Sequence, residues 1–168
     1  MTTPPPPTAA VVGAGIGGLA AAVALGRAGW SVTVHERAAA PDAPGAGLVL
    51  WPNAVHALDA LGLGDAVRGR AAVLAGSALR RADGRWLART GDALTARHGA
   101  PLLGLTRAHL HAVLTEAVGP DVVRHGSEVL DPAALAARHA LVVGADGLRS
   151  RVRGALWPGL ADPPYAGY

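Results

Sequence analysis

The segment from Ala9 to Arg37 constrains the fold most, because it has the order and length of a single β-α-β unit. An apolar run over 9–12 leads into a glycine-rich turn, a stretch of small residues continues to Gly29, and a second apolar run over 31–35 leads to an acid. The turn reads Gly13-Ala14-Gly15-Ile16-Gly17-Gly18. A strand, a glycine-rich turn, a helix and a terminal acid in this register predict a site for an adenine dinucleotide.

The glycines of this turn have separate predicted roles. Gly13 allows a tight turn off the first strand, Gly15 lets the backbone approach a pyrophosphate, and Gly18 lets the helix lie close to the sheet. Bare N–H groups and the positive end of the helix dipole, at Ile16 and Gly17, then face the phosphates. The alternative is a glycine-rich helix start that binds no ligand.

The acid that closes the unit is Glu36, which follows Gly13 by 23 residues. At this spacing a carboxylate accepts hydrogen bonds from an adenosine ribose. A helix start without a ligand would leave both the run of glycines and this acid unexplained, so the pattern favours the nucleotide site.

The composition excludes several chemistries. All 15 basic residues are Arg, and there is no Cys. Without Lys the chain cannot supply a P-loop Lys, a Schiff-base Lys or the Tyr/Lys pair of the short-chain dehydrogenases. Without Cys it has no redox dithiol, thiolate nucleophile, zinc-thiolate cluster or disulfide. We therefore expect a fold held together by burial, in a reducing compartment.

The charge pattern does not indicate a nucleic-acid partner. The net charge is +3, aromatic residues make up 4% of the chain, and the arginines are scattered except at Arg149, Arg151 and Arg153. The N-terminal residues lack the positive region of a secretory signal, and the apolar run over 19–25 is too short to span a bilayer. We expect a cytoplasmic protein that binds neither nucleic acid nor membrane.

The rest of the chain predicts alternating helices and strands. The predicted elements are a loop over 38–47, a helix that begins at Pro52 with Asn53 as N-cap and ends at Gly62, a meander over 71–88 with a hairpin turn at Asp83-Gly84, a helix capped by Thr106 and closed by Gly119-Pro120, a strand at 122–123 and a strand over 141–145. The last strand is an unbroken apolar run, which is typical of a strand buried on both faces of a parallel sheet.

Several separate motifs occur together in one order. The first is the dinucleotide fingerprint with Glu36-Arg37, and the second is the segment Gly45-Ala46-Gly47-Leu48, which leads to Trp51-Pro52-Asn53-Ala54 and the run over 58–63. The third is the segment Leu105-Thr106-Arg107-Ala108-His109-Leu110. The fourth is Gly144-Ala145-Asp146-Gly147-Leu148-Arg149-Ser150 within 142–153. This order resembles the FAD-dependent aromatic hydroxylases, the group A flavoprotein monooxygenases that include p-hydroxybenzoate and salicylate hydroxylases. The match begins at Thr8, and the resemblance implies an α/β fold with a parallel sheet, a Rossmann-like FAD-binding domain of the glutathione-reductase type.

The resemblance also implies a role for each residue that matches the first motif. Gly13, Gly15 and Gly18 would cradle the FAD pyrophosphate. Glu36 would hold the adenosine ribose, and Arg37 would lie beside the adenosine.

Gly47 and Arg107 fall in the middle motifs. By resemblance Gly47 belongs to the cofactor-binding set, and Arg107 reaches the ribityl and phosphate region of the flavin, where an always-charged guanidinium suits phosphate. The alternative for Arg107 is a solvated side chain in the first turn of a helix, where a cation gains nothing from the dipole.

Asp146 and Gly147 match the family's DG motif. The resemblance implies that this Asp bonds FAD through its backbone and through ribityl contacts, and that it influences how NAD(P)H engages. The alternative is a simple turn at the end of a strand. Ser150 and Arg153 also fit the motif, and we interpret them first as residues that start a helix.

The family chemistry is reduction of FAD by NADPH or NADH, followed by transfer of one oxygen atom from O₂ to an aromatic or related small-molecule substrate. The cofactor carries that chemistry, while the protein positions it and excludes water. The sequence shows no Ser/His/Asp triad and no HExxH motif. His109 and His111 lie two residues apart, which points them to different helix faces, so we predict no metal site and assign no catalytic residue.

The family pattern contains a third FAD motif, Gly-Asp-Ala-His, that the sequence lacks. We therefore expect a Pro-rich lead-in over 1–7, an FAD-binding domain over 8–160 that is incomplete at its C-terminal end, and the start of a substrate domain over 161–168. Between Val129 and Leu141 a short helix would replace the family's longer meander. Such a fragment would be inactive alone, and its unpaired apolar sheet edge would favour self-association or a complementing chain.

Two other functions fit the same β-α-β unit. One is a dinucleotide-binding or interaction module without catalysis, which completes its sheet with a partner. The other is an NAD(P)-dependent dehydrogenase that uses the same glycine-rich turn.

Overall fold

The structure is a computed structural model that describes residues 4–40, 45–91, 93–160 and 164–166. The chain forms two compact units, one from Met1–Asp42 with Leu114–Tyr168 and the other from Ala43–Val113. In chain order the elements are β1 (Thr8–Val12), α1 (Ile16–Arg27), β2 (Ser31–His35), β3 (Gly47–Leu50), α2 (Pro52–Ala60), α3 (Gly64–Arg68), β4 (Ala72–Leu74), β5 (Ser77–Arg80), β6 (Trp86–Thr90), α4 (Ala93–His98), β7 (Leu102–Thr106), α5 (Arg107–Val118), β8 (Val123–Arg124), α6 (Pro132–Ala136), β9 (Leu141–Gly144) and α7 (Arg151–Leu156). The predicted loop over 38–47 and final segment over 161–168 lie partly outside the described residues.

The first unit is built on a parallel sheet with the strand order β8-β2-β1-β9. Its central strand β1 is buried from Ala9 to Val12, as expected of a parallel strand covered on both faces. Val12 lies opposite His35 on one side and Gly144 on the other, so three strands end at one edge. The predicted α/β fold with a parallel sheet is confirmed.

Helices cover both faces of this sheet. α1 contributes the buried side chains of Leu19, Ala22 and Val23, while Leu135 of α6 and Val152 of α7 pack against β1 on the other face. α6 is the short helix predicted between 129 and 141. Together these contacts fix the positions of the turns that follow β1, β2 and β9.

The last predicted strand forms, but its predicted burial is wrong. β9 is only partly buried, because in the part of the chain that the structure describes β1 is its single hydrogen-bonded neighbour. An edge strand keeps part of each face in solvent even when its sequence is wholly apolar.

The second unit contains an antiparallel sheet, β3-β7-β4, and the hairpin β5-β6. The hairpin turn at Asp83-Gly84 is confirmed by a φ of +89° at Gly84 and by the Arg85 N–H, which donates to Asp83 Oδ1 at 2.9 Å. The predicted meander is wrong, because β4 pairs with β7 and not with β5. β3 and β7 were not predicted.

The two predicted helix caps of this unit have different outcomes. Thr106 caps α5, since its Oγ1 accepts from the His109 N–H at 3.1 Å. Asn53 is not an N-cap: α2 starts at Pro52 after an N-cap at Trp51, and proline suits the first helical position because it lacks an N–H. No helix of the described residues is long and apolar enough to cross a membrane.

Candidate nucleotide site

Two glycines of the β1-α1 turn are required by close packing within the chain. Gly13 has a φ of +102°, and its N–H donates to the His35 carbonyl oxygen at 2.8 Å. A Cβ at Gly13 would collide with the Ala145 carbonyl oxygen, and a Cβ at Gly18 would collide with the Gly13 carbonyl oxygen and lie 3.2 Å from Ala145 Cβ. These glycines therefore let the turn, the start of α1 and the end of β9 approach one another.

Gly15 and Gly17 differ, because no contact in the described residues requires a glycine there. Gly15 is the N-cap of α1 with φ −71° and ψ 178°, a conformation open to any residue. A Cβ at either position would meet nothing within 4 Å. The space beside these residues lies at the start of α1, where bare N–H groups and the helix dipole favour an anion. A pyrophosphate fits this cradle, and a side chain at Gly15 would fill it.

The Glu36 carboxylate is fixed by backbone N–H groups on both sides. Its Oε2 accepts from Ala14 at 2.8 Å and its Oε1 accepts from Ala38 at 2.9 Å. Burial alone would raise the pKa of this carboxyl, but these hydrogen bonds and the charges of Arg37 and His125 lower it overall. The carboxylate is therefore ionised near neutral pH, and its oxygens keep lone pairs that can accept from ribose hydroxyls.

The Asp146 carboxylate is engaged by the start of α7. Its Oδ1 accepts from the Ser150 hydroxyl at 2.5 Å, and its Oδ2 accepts from the N–H groups of Arg151 at 2.7 Å and Val152 at 3.3 Å. Burial raises the pKa of the Asp146 carboxyl, but these hydrogen bonds outweigh it and lower the pKa. Ser150 caps α7 by accepting from the Arg153 N–H at 2.9 Å, as its interpretation as a helix-start residue requires.

An open cleft of about 220 Å³ lies at the edge where β1, β2 and β9 end. Its lining residues are Val12, Gly13, Gly15, His35, Glu36, Arg37, Ser127, Glu128, Val129, Ala145, Asp146, Gly147, Arg149 and Arg151. Gly147 has a φ of +82°, which turns the chain along the cleft after β9. Arg151 and Glu128 form an ion pair at 3.2 Å, whereas Arg37 and Arg149 make no hydrogen bond or ion pair with the residues the structure describes. Most of the predicted site residues therefore line one cleft, and the guanidinium groups of Arg37 and Arg149 can pair there with an anionic ligand.

One wall of the cleft was not predicted. The segment Ser127–Val129 continues beside the end of β2, where the Ser127 N–H donates to the Glu36 carbonyl oxygen at 2.8 Å and the Gly126 N–H donates to the Ala38 carbonyl oxygen at 3.0 Å. The one sequence signal for it was the strand predicted at 122–123, whose partner strand could not be read from local pattern.

Gly47 and Arg107 belong to the second unit. Gly47 pairs with Thr106 between β3 and β7, and the Arg107 N–H donates to the Ala46 carbonyl oxygen at 2.8 Å. The two residues predicted from the middle motifs are therefore neighbours, while their roles at the flavin stay predictions. Within the described residues, no group of three His, Asp or Glu side chains is arranged to hold a metal ion.

Comparison with known proteins identifies relatives of this arrangement. The chain is 40% identical over 165 residues to 3-amino-4-hydroxybenzoate 2-monooxygenase of Streptomyces platensis, a match that covers 89% of this chain and 42% of the relative. The structure of Klebsiella pneumoniae HpxO complexed with FAD and uric acid matches with a TM-score of 0.70 and 29% identity, over 88% of this chain and 41% of that one. A tetrameric form of 2-methyl-3-hydroxypyridine-5-carboxylic acid oxygenase matches with a TM-score of 0.72 and 29% identity, over 90% and 42%.

The chain thus spans about two fifths of the length of the relatives that it matches. The model of the FAD binding domain family matches residues 7–158. That match includes the glycine-rich turn, Glu36, the unpredicted wall at Ser127–Val129 and the turn at Asp146-Gly147. Because it covers most of the chain, this protein belongs to the FAD binding domain family.

Proposed function

We propose that this chain is the FAD-binding part of an NAD(P)H-dependent flavoprotein monooxygenase that hydroxylates an aromatic or related small molecule. When bound, FAD supplies the redox chemistry, in which NAD(P)H gives two electrons and O₂ gives one oxygen atom to the substrate and one to water. The observation that carries the proposal is the open cradle at Gly15, which no packing contact of the described residues explains.

The residues of this chain bind and orient the adenosine diphosphate half of FAD. Gly15, Ile16 and Gly17 present N–H groups at the start of α1 to the pyrophosphate. Gly13 and Gly18 provide the tight packing that holds this start in place.

The ribose and adenosine contacts come from the ends of the neighbouring strands. The ionised Glu36 accepts from the ribose hydroxyls, and Arg37 lies beside the adenosine. The backbone of Asp146 and Gly147 forms the opposite wall, since the Asp146 side chain is already engaged by α7. By the resemblance alone, Arg107, with Gly47 next to it, is assigned to the ribityl and phosphate region.

The substrate class rests on the relatives. The relative from Streptomyces platensis is named for an aminohydroxybenzoate, which supports an aromatic substrate for the whole protein. The tetrameric relative supports self-association of this chain or pairing with a complementing chain. We also propose that the protein is cytoplasmic, because the chain contains no Cys.

The test is retention of flavin by the purified chain. The chain is incubated with FAD, separated from free ligand by gel filtration, and the flavin absorbance of the protein peak is measured with and without excess ADP or NAD⁺. We expect flavin to elute with the protein and ADP to displace it more effectively than NAD⁺. Displacement by NAD⁺ in preference to ADP, or no flavin in the peak, would contradict the proposal.

A further inference from the structure

His35 stands at the junction between the sheet and the unpredicted wall of the cleft. It is the last residue of β2, lies opposite Val12 on one side and Arg124 on the other, and lines the cleft. Its Nδ1 lies 2.9 Å from Ser127 Oγ. Its Nε2 is buried and has no hydrogen-bond partner in the part of the chain that the structure describes.

These contacts select one tautomer of the neutral ring. If Nδ1 carries the proton, it donates to Ser127 Oγ and leaves Nε2 as a bare lone pair. In the other tautomer, a buried Nε2–H would have no acceptor, which costs more than an unused lone pair. Neutral His35 therefore donates to Ser127 and ties the segment Ser127–Val129 to the end of β2.

The charges around His35 oppose its protonation. Arg124 of β8 and the pair Arg138 and His139, which follow α6, all lower its pKa, after burial as the largest cause. The three acids of the same cleft are bound to groups other than the His35 ring. Their partners are backbone N–H groups for Glu36, Arg151 for Glu128 and the start of α7 for Asp146.

We propose that neutral His35 is a positioning residue of the nucleotide site, which holds Ser127–Val129 as a wall of the cleft and releases it on protonation. A protonated ring carries an Nε2–H for which the described residues offer no acceptor, so protonation favours a ring position other than the one bonded to Ser127. Nucleotide affinity then falls as the solution becomes acidic. This inference rests on the proposed function, since it assigns a pH response to the same site.

The first test needs no ligand. Nuclear magnetic resonance follows the ring signals of His35 and the backbone amide signals of Ser127, Glu128 and Val129 as the pH is lowered from about 8 to about 5. We expect the amide signals to change with the same midpoint as the His35 ring. Amide signals that stay constant while the ring titrates would overturn the inference.

The second test compares three chains by calorimetric titration with FAD, whose pyrophosphate diester carries no proton that titrates in this range. In the wild type the affinity should fall about twofold to tenfold between about pH 7.5 and about pH 5.5. His35→Leu should bind more weakly at the higher pH, because it lacks the donor. His35→Asn offers an amide donor that does not titrate, so it should restore part of the affinity and remove its pH dependence.

The matched control is His109→Asn, which replaces an exposed histidine of α5 outside the cleft and should keep the wild-type pH profile. A His35→Asn profile parallel to the wild type would overturn the inference. Failure of the proposed function gives a different result: the folded wild type would bind no FAD at any pH, and the amide titration would still decide whether His35 positions the wall.

Discussion

The Glu36 carboxylate accepts a hydrogen bond from the backbone N–H of Ala14, with 2.8 Å between the two heavy atoms. The bond joins the end of β2 to the middle of the glycine-rich turn, 22 residues earlier in the chain. The acid that the sequence pattern assigns to the ribose thus also holds the turn that the same pattern assigns to the pyrophosphate.

Replacement of Glu36 with Ala should weaken binding of ADP or FAD by about 1 to 3 kcal/mol, because ribose hydroxyls and the Ala14 N–H both lose an acceptor. Calorimetric titration with ADP measures the change. Asp121→Ala removes the same charge from an exposed position outside the cleft and serves as the control. An equal loss of ADP affinity in the two variants would mean that the net charge of the chain, and not the position of the Glu36 carboxylate, governs binding.

Two aspartates cap short helices in a similar way, and their variants separate stability from binding. Asp146 accepts from the N–H groups that start α7, and Asp131 Oδ1 accepts from Ala133 and Ala134 at 3.0 and 3.1 Å to start α6. We expect Asp146→Ala and Asp131→Ala each to lower the free energy of unfolding by about 0.5 to 2 kcal/mol.

The two variants should differ in nucleotide affinity. Asp146→Ala should also weaken ADP binding, because Asp146 lines the cleft and its carboxylate ties the turn to α7, whereas Asp131→Ala should not. Thermal unfolding and ADP titration of both proteins provide the comparison. If the Asp146→Ala chain is less stable but binds ADP normally, the turn at Asp146-Gly147 is not part of the nucleotide site.

Acid should destabilise the fold in two stages. Burial, followed by Arg124, lowers the pKa of folded His35 from 6.5, so the unfolded chain takes up a proton first and stability is lost as pH falls below 6.5. Despite burial, which raises them, hydrogen bonds hold the pKa values of Glu36 and Asp146 below 4.5 and 3.8. Their stabilisation is therefore present above those values and is lost as pH falls through the lower folded values.

Unfolding temperatures measured from about pH 8 to about pH 3 test this order. The first stage should be absent from His35→Asn, while the second stage should remain. A wild-type curve that is flat down to about pH 5 would show that His35 is not held neutral by its surroundings.

The 168 residues by themselves should give no hydroxylated product with FAD and NADPH supplied. Hydroxylation requires a reduced flavin and a substrate enclosed away from water. The described cleft is assigned to the adenosine diphosphate half of FAD, and the chain spans about two fifths of the length of its relatives. Two electrons from NADPH should instead reduce O₂ to hydrogen peroxide. NADPH oxidation is followed across a panel of phenolic acids with mass spectrometry of the products, and a hydroxylated product above the free-flavin background would contradict the expectation.

The sequence predicts the β1-α1-β2 unit well because that unit is local. Its strand, turn and helix follow one another directly, so the spacing from Gly13 to Glu36 carries the geometry. The open space beside Gly15 agrees with the role assigned to it. The close approach at Gly18 agrees with its predicted role in helix packing, and the structure adds that the group a Cβ there would meet first is the Gly13 carbonyl oxygen.

The sequence does not predict contacts between distant segments. Ser127 reaches the site through a bond to His35 across 92 positions, and β4 pairs with β7 across the intervening hairpin. The pattern at Asp146 also does not indicate whether its side chain or its backbone faces the cleft. That choice depends on α7, which packs where the carboxylate can cap it.

The most direct test of the central claim compares two single variants, Gly15→Val and Gly18→Ala. For each variant the ADP affinity and the unfolding temperature are measured. A side chain at Gly15 meets nothing in the folded chain, so Gly15→Val should unfold near the wild-type temperature and lose ADP binding. Gly18→Ala should lose stability, because its Cβ collides with the Gly13 carbonyl oxygen. Wild-type ADP affinity in folded Gly15→Val would contradict the claim that the start of α1 holds the pyrophosphate of FAD.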